Sequence, residues 1–110
     1  MTIFELLQST GIPAAYGVMR QEQTPPFLVY LGDGQRQFMA DDTIYEKQDT
    51  YQVEYYFTEK NPVIEEALEA SFLADGWIYE KSEDTYIDGQ DVFVIYYTVW
   101  RKKPWQIATS

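Results

Sequence analysis

The chain has 110 residues, a formal net charge of −10, and neither cysteine nor histidine. This length predicts a single domain. The lack of cysteine excludes disulfides and thiolate chemistry, and the lack of histidine removes the commonest general base and transition-metal ligand. The charges are evenly spread, since residues 1–55 hold 8 of the 18 acidic and 3 of the 8 basic side chains. This balance repels nucleic acid and leaves no basic patch for phosphates outside residues 101–103.

The sequence lacks the features of a signal peptide at its start and of a membrane helix in its longest apolar run. The first ten residues lack a basic start and carry Glu5 within their apolar run, which a signal peptide does not. The longest nearly apolar run, residues 92–100, is far shorter than the roughly 20 residues of a membrane helix. The sequence therefore predicts a soluble protein, made in a cytoplasm, with no membrane partner.

The first half of the chain predicts one short helix followed by strands. Thr2 and Glu5 have the spacing of a capping box, and Gly11 and Pro13 end the helix. The predicted elements of this half are a helix over 2–10, a short strand over 14–19, a loop over 21–26, a strand over 27–31, an edge strand over 36–43 and a turn over 46–50.

The second half has the strongest local signals. Alternation over residues 51–58 predicts a strand, with these residues on its core face: Tyr51, Val53, Tyr55 and Phe57. Asn61 as the cap and Pro62 at the first helical position predict a helix that Gly76 ends. Its predicted inward stripe is Ile64, Ala67, Leu68, Ser71 and Phe72.

After this helix the pattern predicts a strand over 77–87, a hairpin turn over 88–91, a central strand over 92–100 and a tail over 101–110. The element order predicts an α+β fold, with an antiparallel or mixed sheet of about five strands and two helices packed on it. Residues 1–100 form the predicted domain.

Adjacent carboxylates are the main candidates for reactive chemistry. Neighbouring residues on a strand point to opposite faces, so Asp41 with Asp42, or Glu83 with Asp84, makes a poor metal site or carboxylate dyad. The tyrosine-rich strands resemble base-stacking platforms, but such platforms accompany a basic groove, and a protein interface suits this acidic chain better. The sequence therefore predicts no catalytic residue, no metal, no cofactor and no enzyme activity.

Four phrases carry a family resemblance. They are YGVMRQEQTPPFLVYLGDG at 16–34, YQVEYYFTEKN at 51–61, GWIYEKSEDTYI at 76–87 and FVIYYT at 93–98. In order and spacing, the chain up to about residue 100 resembles the small tail-completion proteins of long-tailed bacteriophages and Gram-positive prophages. These are head–tail joining proteins of the tail-terminator type.

The resemblance implies a structural protein at the head–tail junction of a virion, assembled in the host cytoplasm. It implies a homo-oligomeric ring, commonly a hexamer, that ends the tail tube and joins it to the connector. The implied partners are the protein itself and the tail-tube and connector proteins, without cofactor or enzyme activity. Whether the chain is a terminator or a connector subunit stays open.

Physical arguments beside the resemblance select candidate residues. A basic lumen would hold passing DNA by its phosphates, so acids suit a channel through which DNA slides without specific binding. The candidate lumen or ring-face acids, in the predicted polar loop 33–49, are Asp33, Asp41, Asp42, Glu46 and Asp49. The candidate subunit-interface residues are Tyr56, Tyr79, Tyr97 and Trp100. The candidate partner-docking residues of the tail are Arg101, Lys102, Lys103 and Trp105.

Two other functions compete with ring assembly. An acidic inhibitor that mimics DNA and blocks a host nuclease or DNA-binding protein would cluster its acids on one face, whereas these acids are scattered. A small carboxylate enzyme would bring two acids with separated pKa values into one cleft. The spacing of the acids along the sequence does not indicate such a pair.

Overall fold

Long strands dominate the computed structural model, which describes residues 1–20, 22–40 and 43–104, with side chains described outside 35–40, 43–48 and 102–104. The elements are α1 (Ile3–Ser9), β1 (Ala14–Tyr16), β2 (Phe27–Ala40), β3 (Thr43–Phe57), α2 (Pro62–Ala74), β4 (Ile78–Lys81), β5 (Thr85–Ile87) and β6 (Val92–Pro104). The strand order is β1-β2-β3-β6-β4, and β5 also pairs with β6. Only β1 and β2 are parallel among the described pairs. The predicted α+β fold is confirmed, with six described strands instead of about five.

Both predicted helix starts are confirmed. The Thr2 hydroxyl accepts from the Glu5 amide at 3.1 Å, and Glu5 accepts from the Thr2 amide at 2.9 Å, which completes the capping box. The Asn61 side chain accepts from the Val63 amide at 3.2 Å, and Pro62 is the first residue of α2.

None of the described helices is long and apolar enough to cross a membrane.

The core lies between the two helices and one face of the sheet. Val53, Tyr55 and Phe57 are buried there, and Tyr51 packs against them, which confirms the predicted core face of β3. The helices contribute Ile3, Leu6, Leu7, Leu68 and Phe72 to this core. Each fully buried large apolar side chain contributes roughly 1.5–3 kcal/mol, so this cluster is the main source of stability.

A long hairpin replaces the predicted polar loop. β2 continues through Gly32 and Gly34, with a register shift between Gly32 and Gln35, and β3 begins at Thr43. The predicted turn over 46–50 is therefore wrong, because residues 46–49 pair with β2 on one side and β6 on the other, and Thr50 pairs with Trp100 of β6. Strands of 14 and 15 residues at about 3.3 Å per residue reach nearly 50 Å, which accounts for the 54 Å long axis.

The end of the chain also pairs further than its sequence indicates. The predicted strand 77–87 is divided into β4 and β5, because Ser82 leaves the ladder and bonds Tyr96 through both its amide and its hydroxyl. β6 continues to Pro104 along Glu46–Asp49 of β3, so residues 101–104, predicted as the start of a tail, are strand. The predicted hairpin between β5 and β6 is confirmed by their antiparallel pairing.

We use the term arm for residues 32–40 of β2, 43–50 of β3 and 100–104 of β6. The described core residues on these strands end at Tyr30, Tyr51 and Val99, just before the arm begins. The arm therefore extends the sheet beyond the part that the helices cover.

Candidate interaction surfaces

The described candidate lumen acids lie on the arm. Asp33 is exposed between two glycines at the register shift of β2. Asp49 is half-buried on β3, and its cross-strand partners are Gln35 and Arg101. The structure therefore brings Asp33 and Asp49 to the same part of a hairpin instead of a loop.

Of the other three candidate acids, only Glu46 lies among the described residues. Glu46 lies on β3 opposite Phe38 and Pro104, and its side chain is outside the described part. Asp41 and Asp42 lie outside the described residues. The role of the acids in a lumen stays a prediction.

The four candidate interface residues divide between the two faces of the sheet. Tyr56 and Trp100 lie on the face away from the helices, and both are half-buried. Tyr97 is fully buried in the core at 0% exposure, so the prediction that it contacts another subunit is corrected. Tyr79 is half-buried on the helix side, next to Tyr97.

Tyr56 is held by a stack and a hydrogen bond. Its ring stacks on Phe27 with centroids 4.8 Å apart, and its hydroxyl donates to Glu54 at 2.6 Å. Burial, and then the bond to Glu54, raise the pKa of Tyr56, so this hydroxyl stays protonated. The Glu54 carboxylate also accepts from the Gln52 amide at 3.1 Å, which satisfies both of its oxygens.

A charged cluster, which we call the Glu65 cluster, lies between α2 and the sheet and consists of Lys60, Glu65, Glu69, Lys81 and Tyr97. The Glu65 side chain is only 2% exposed, and Lys60 and Lys81 both donate to its Oε1 at 2.9 Å. Lys81 also contacts Glu69 at 2.8 Å, and the Tyr97 hydroxyl donates to Glu69 at 2.8 Å. Two lysines thus bind two glutamates that α2 turns inward.

The pKa values in the Glu65 cluster follow from these contacts. Burial acts to raise the pKa of Glu69, but the bonds from Lys81 and Tyr97 outweigh it and hold that pKa below its usual value. Burial likewise acts to lower the pKa of Lys81, and Glu69 and Glu65 reverse this and raise it. Burial, and then the bond to Glu69, raise the pKa of Tyr97. The charged forms of Glu69 and Lys81 stabilise each other while Tyr97 stays protonated, which fits a structural cluster better than an acid–base pair.

The Glu65 cluster also sets which face α2 presents to solvent. Leu68 and Phe72 are buried as predicted, but Ala67 is exposed, so that part of the predicted stripe is wrong. Glu65 and Glu69 occupy the inward positions instead, because Lys60 and Lys81 lie on that side. A signal was available in the sequence: Glu65, Leu68, Glu69 and Phe72 have helical spacing, and a lysine stands on either side of α2.

The docking residue Arg101 is engaged within the chain. Its guanidinium contacts Asp75 at 3.0 Å and lies 4.3 Å from the centroid of the Trp77 ring. Burial acts to raise the pKa of Asp75, but Trp77, the N-terminal ammonium and Arg101 together lower it. Lys102 and Lys103 lie on β6 with side chains outside the described part, and Trp105 is outside the described residues. Docking by these residues stays a prediction.

The comparisons with known proteins add no family to this geometry. No protein-family model matches the chain, and no curated protein is significantly similar to it. Within residues 1–20, 22–40 and 43–104, no three Asp, Glu, His or Cys side chains are grouped so as to hold a metal ion.

Proposed function

We propose that the chain is a structural protein of a long-tailed phage particle. Copies of it form a ring, with six as the expected number, at the head–tail junction. This ring ends the tail tube and joins it to the connector, and DNA passes through its lumen without specific binding. The partners are other copies of the chain and the tail-tube and connector proteins.

The arm is the observation that carries this proposal. It is a three-stranded extension of the sheet beyond the helix-covered core, and it bears Asp33, Glu46 and Asp49. β1 covers only Leu28–Tyr30 of β2, so the outer edge of β2 in the arm has no partner among the described strands. Open edges of this length are normally paired or covered, and an assembly protein covers them with its neighbours. The α+β architecture also agrees with the resemblance found in the sequence.

The first test is the mass of the purified protein in solution. Light scattering over a concentration series, with the protein alone and mixed with the tail-tube protein, measures this mass directly. A sixfold species in either sample supports the proposal. A strict monomer that does not bind the tube protein would overturn it, and inhibition of a nuclease by that monomer would establish the DNA-mimic function instead.

Two of the candidate lumen acids, Asp41 and Asp42, are tested by charge reversal in the assembled particle. We expect an Asp41→Lys, Asp42→Lys double variant to slow DNA ejection, because a basic lumen attracts phosphates. The matched control is Glu22→Lys, Glu83→Lys, which reverses two exposed acids outside the arm. Equal infectivity of the two variants would remove the lumen role of Asp41 and Asp42.

A further inference from the structure

Half of the basic residues of the chain are placed together in the middle of the arm. Two successive cross-strand rows run across β2, β3 and β6 there. Their members are Arg36, Gln48 and Lys102 in one row and Gln37, Lys47 and Lys103 in the next. We call these six residues the cation band. They include four of the eight basic residues of the chain and no acid.

The register of the cation band places like charges next to one another. Lys47 and Lys103 are directly opposite on antiparallel strands, where Cβ atoms lie about 4.5–5.5 Å apart and like charges are destabilising. Only Gln48 separates Arg36 from Lys102, so these two positions lie about 10 Å apart at a strand spacing of about 4.8 Å. The band is therefore favourable only where anionic groups offset its charge.

The arm itself supplies little of this negative charge. The row next to the band on the core side pairs one acid with one base, Asp49 with Arg101, and Asp33 lies further towards the core at the register shift. The row next to the band on the other side holds a single acid, Glu46. The cation band is thus a local excess of positive charge in a chain whose net charge is −10.

The end of the sheet opposite the arm, where β3 ends and β6 begins, is acidic. Four exposed acids, which we call the acidic end, flank the strand ends there: Glu59 in the loop after β3, Asp84 just before β5, and Asp88 and Asp91 at the two ends of the β5–β6 turn. The cation between them, Lys60, already contacts Glu65 at 2.8 Å and Asp84 at 3.0 Å. Within the described part of the chain, Glu59 and Asp88 have no ion pair and no side-chain hydrogen bond.

The acidic end of one copy lies too far away to offset the cation band of the same copy. Lys102 is ten residues from Val92 along the continuous strand β6, which is about 33 Å at about 3.3 Å per residue. Charges are screened over about 8 Å at physiological ionic strength. Acids inside the domain are already engaged, since Glu54, Glu69 and Asp75 each accept hydrogen bonds within the chain.

We propose that the cation band of one copy binds the acidic end of another copy. Charge selects this pairing, because band against band and acidic end against acidic end both place like charges together. The edge of β6 gives access to the band, since β4 pairs only with Tyr97–Trp100 and no described strand covers the edge at Lys102 and Lys103. The two rows lie on opposite faces of the sheet, and a partner at this edge reaches both.

This contact rests on the proposed function for its biological setting. An uncovered cation band beside the lumen of the ring would hold passing DNA by its phosphates. The acidic end of the neighbouring copy offsets that charge and joins the two copies. Nucleic acid is the weaker match for the band in the free protein, because the net charge of −10 repels it.

The test removes the net charge of each surface separately. Lys102→Glu, Lys103→Glu leaves two cations and two acids in the band, and Glu59→Lys, Asp88→Lys leaves two of each at the acidic end. The fold is retained, because a carboxylate at position 103 lies opposite Lys47, and Glu59 and Asp88 are exposed outside the strands.

The matched control is Glu22→Lys, Glu66→Lys. It makes the same change in net charge as Glu59→Lys, Asp88→Lys, at two exposed positions outside the acidic end. Because both of these variants are less negative than the wild type, lost association in one of them alone does not come from greater repulsion.

Sedimentation velocity from about 10 µM to about 1 mM protein, in about 0.1 M salt, measures the association, since exposed ion pairs make a weak contact. The wild type and the control are expected to associate, and each of the two surface variants is expected to associate with itself at least about tenfold more weakly. In about 1 M salt, where the screening length is about 3 Å, the wild type is expected to be monomeric.

An equimolar mixture of the two surface variants is expected to form one-to-one dimers, since each supplies the surface that the other lacks. Such a pair has the same total charge as two wild-type copies. Net repulsion therefore does not explain a difference between the mixture and the Lys102→Glu, Lys103→Glu variant alone.

Four outcomes would overturn the contact: a wild type that stays monomeric throughout, a surface variant that associates like the wild type, a mixture that stays monomeric, or wild-type association that about 1 M salt leaves unchanged. A short DNA duplex is the second ligand. If the wild type binds it in preference to another copy, and the Lys102→Glu, Lys103→Glu variant does not, nucleic acid occupies the band and the contact is overturned too. If circular dichroism shows that a variant is unfolded, Lys102→Gln, Lys103→Gln and Glu59→Gln, Asp88→Asn replace the pair under the same criteria.

This result is separate from the phage role. If the mixture stays monomeric while a sixfold species still forms on the tail-tube protein, the contact fails and the ring stands. If the contact is found but the tube protein is not bound, the contact stands and the proposed function fails.

Discussion

The strongest test of the fold is removal of the charge on Glu65. In Glu65→Gln, the shape is kept, but Lys60 and Lys81 lose the carboxylate to which both donate at 2.9 Å. Breaking a buried ion pair on one side costs about 3–5 kcal/mol. The side chains of Lys60 and Lys81 are 46% and 34% exposed and can turn to water, so we expect the lower end, about 3 kcal/mol.

Urea and thermal unfolding, followed by tryptophan fluorescence to which the buried Trp77 just after α2 contributes, measure this loss. For a domain of this size, about 3 kcal/mol lowers the melting temperature by at least about 12 °C. The control is Glu66→Gln, the exposed neighbour on the same helix, which should stay within about 0.5 kcal/mol of the wild type. If the two variants lose equal stability, the Glu65 cluster does not hold α2 on the sheet.

A companion double variant separates charge pairing from burial. In Glu65→Met, Lys81→Met, an apolar pair of similar volume replaces two members of the Glu65 cluster. Apolar replacement of a buried ion pair is often neutral or stabilising, so this protein should be more stable than Glu65→Gln. A double variant less stable than the single one would show that the Glu65 cluster requires its charge pairs, including the Lys81–Glu69 contact that this variant also removes.

Three further predictions concern groups described above. The pKa of Glu69 is lowered in the fold, so the stability that its charged form contributes is present above the unfolded pKa of about 4.3. This stability is lost as the pH falls through the lower folded pKa. Urea midpoints measured from about pH 6 to pH 3 should therefore fall less in Glu69→Gln than in the wild type. Tyr97→Phe removes a 2.8 Å bond to that carboxylate and should cost about 1.5–3 kcal/mol in urea unfolding. Thr2→Ala removes the capping box of α1 and should cost about 1 kcal/mol by the same measurement.

Each of these three has a contradicting result. Identical acid sensitivity in Glu69→Gln and the wild type would remove Glu69 as a source of stability above its pKa. An unchanged midpoint in Tyr97→Phe would show that the hydroxyl is as well satisfied by water as by Glu69. For the cap, Thr2→Ser is the matched control, and a loss as large as that of Thr2→Ala would refute the capping explanation.

The features that the sequence alone determined are local or strictly periodic. The starts of α1 and α2 follow from Thr2 with Glu5 and from Asn61 with Pro62, because each pair lies within one helical turn. The core face of β3 follows from alternation over four successive odd positions. Turn residues at 88–91 likewise predicted the β5–β6 hairpin.

Only the tertiary structure decided what depends on distant partners. Residues 46–50 have turn-like composition, yet pairing with β6 throughout, and with β2 over 46–49, makes them strand. Glu65 is buried and Ala67 exposed because Lys81, sixteen residues further along, reaches under α2 once β4 joins the sheet. Tyr56 and Tyr97 look alike in the sequence, but one lies on the sheet face away from the helices and the other in the core. Local patterns define where an element begins and which faces it has, whereas the energy of long-range pairs decides which face turns inward.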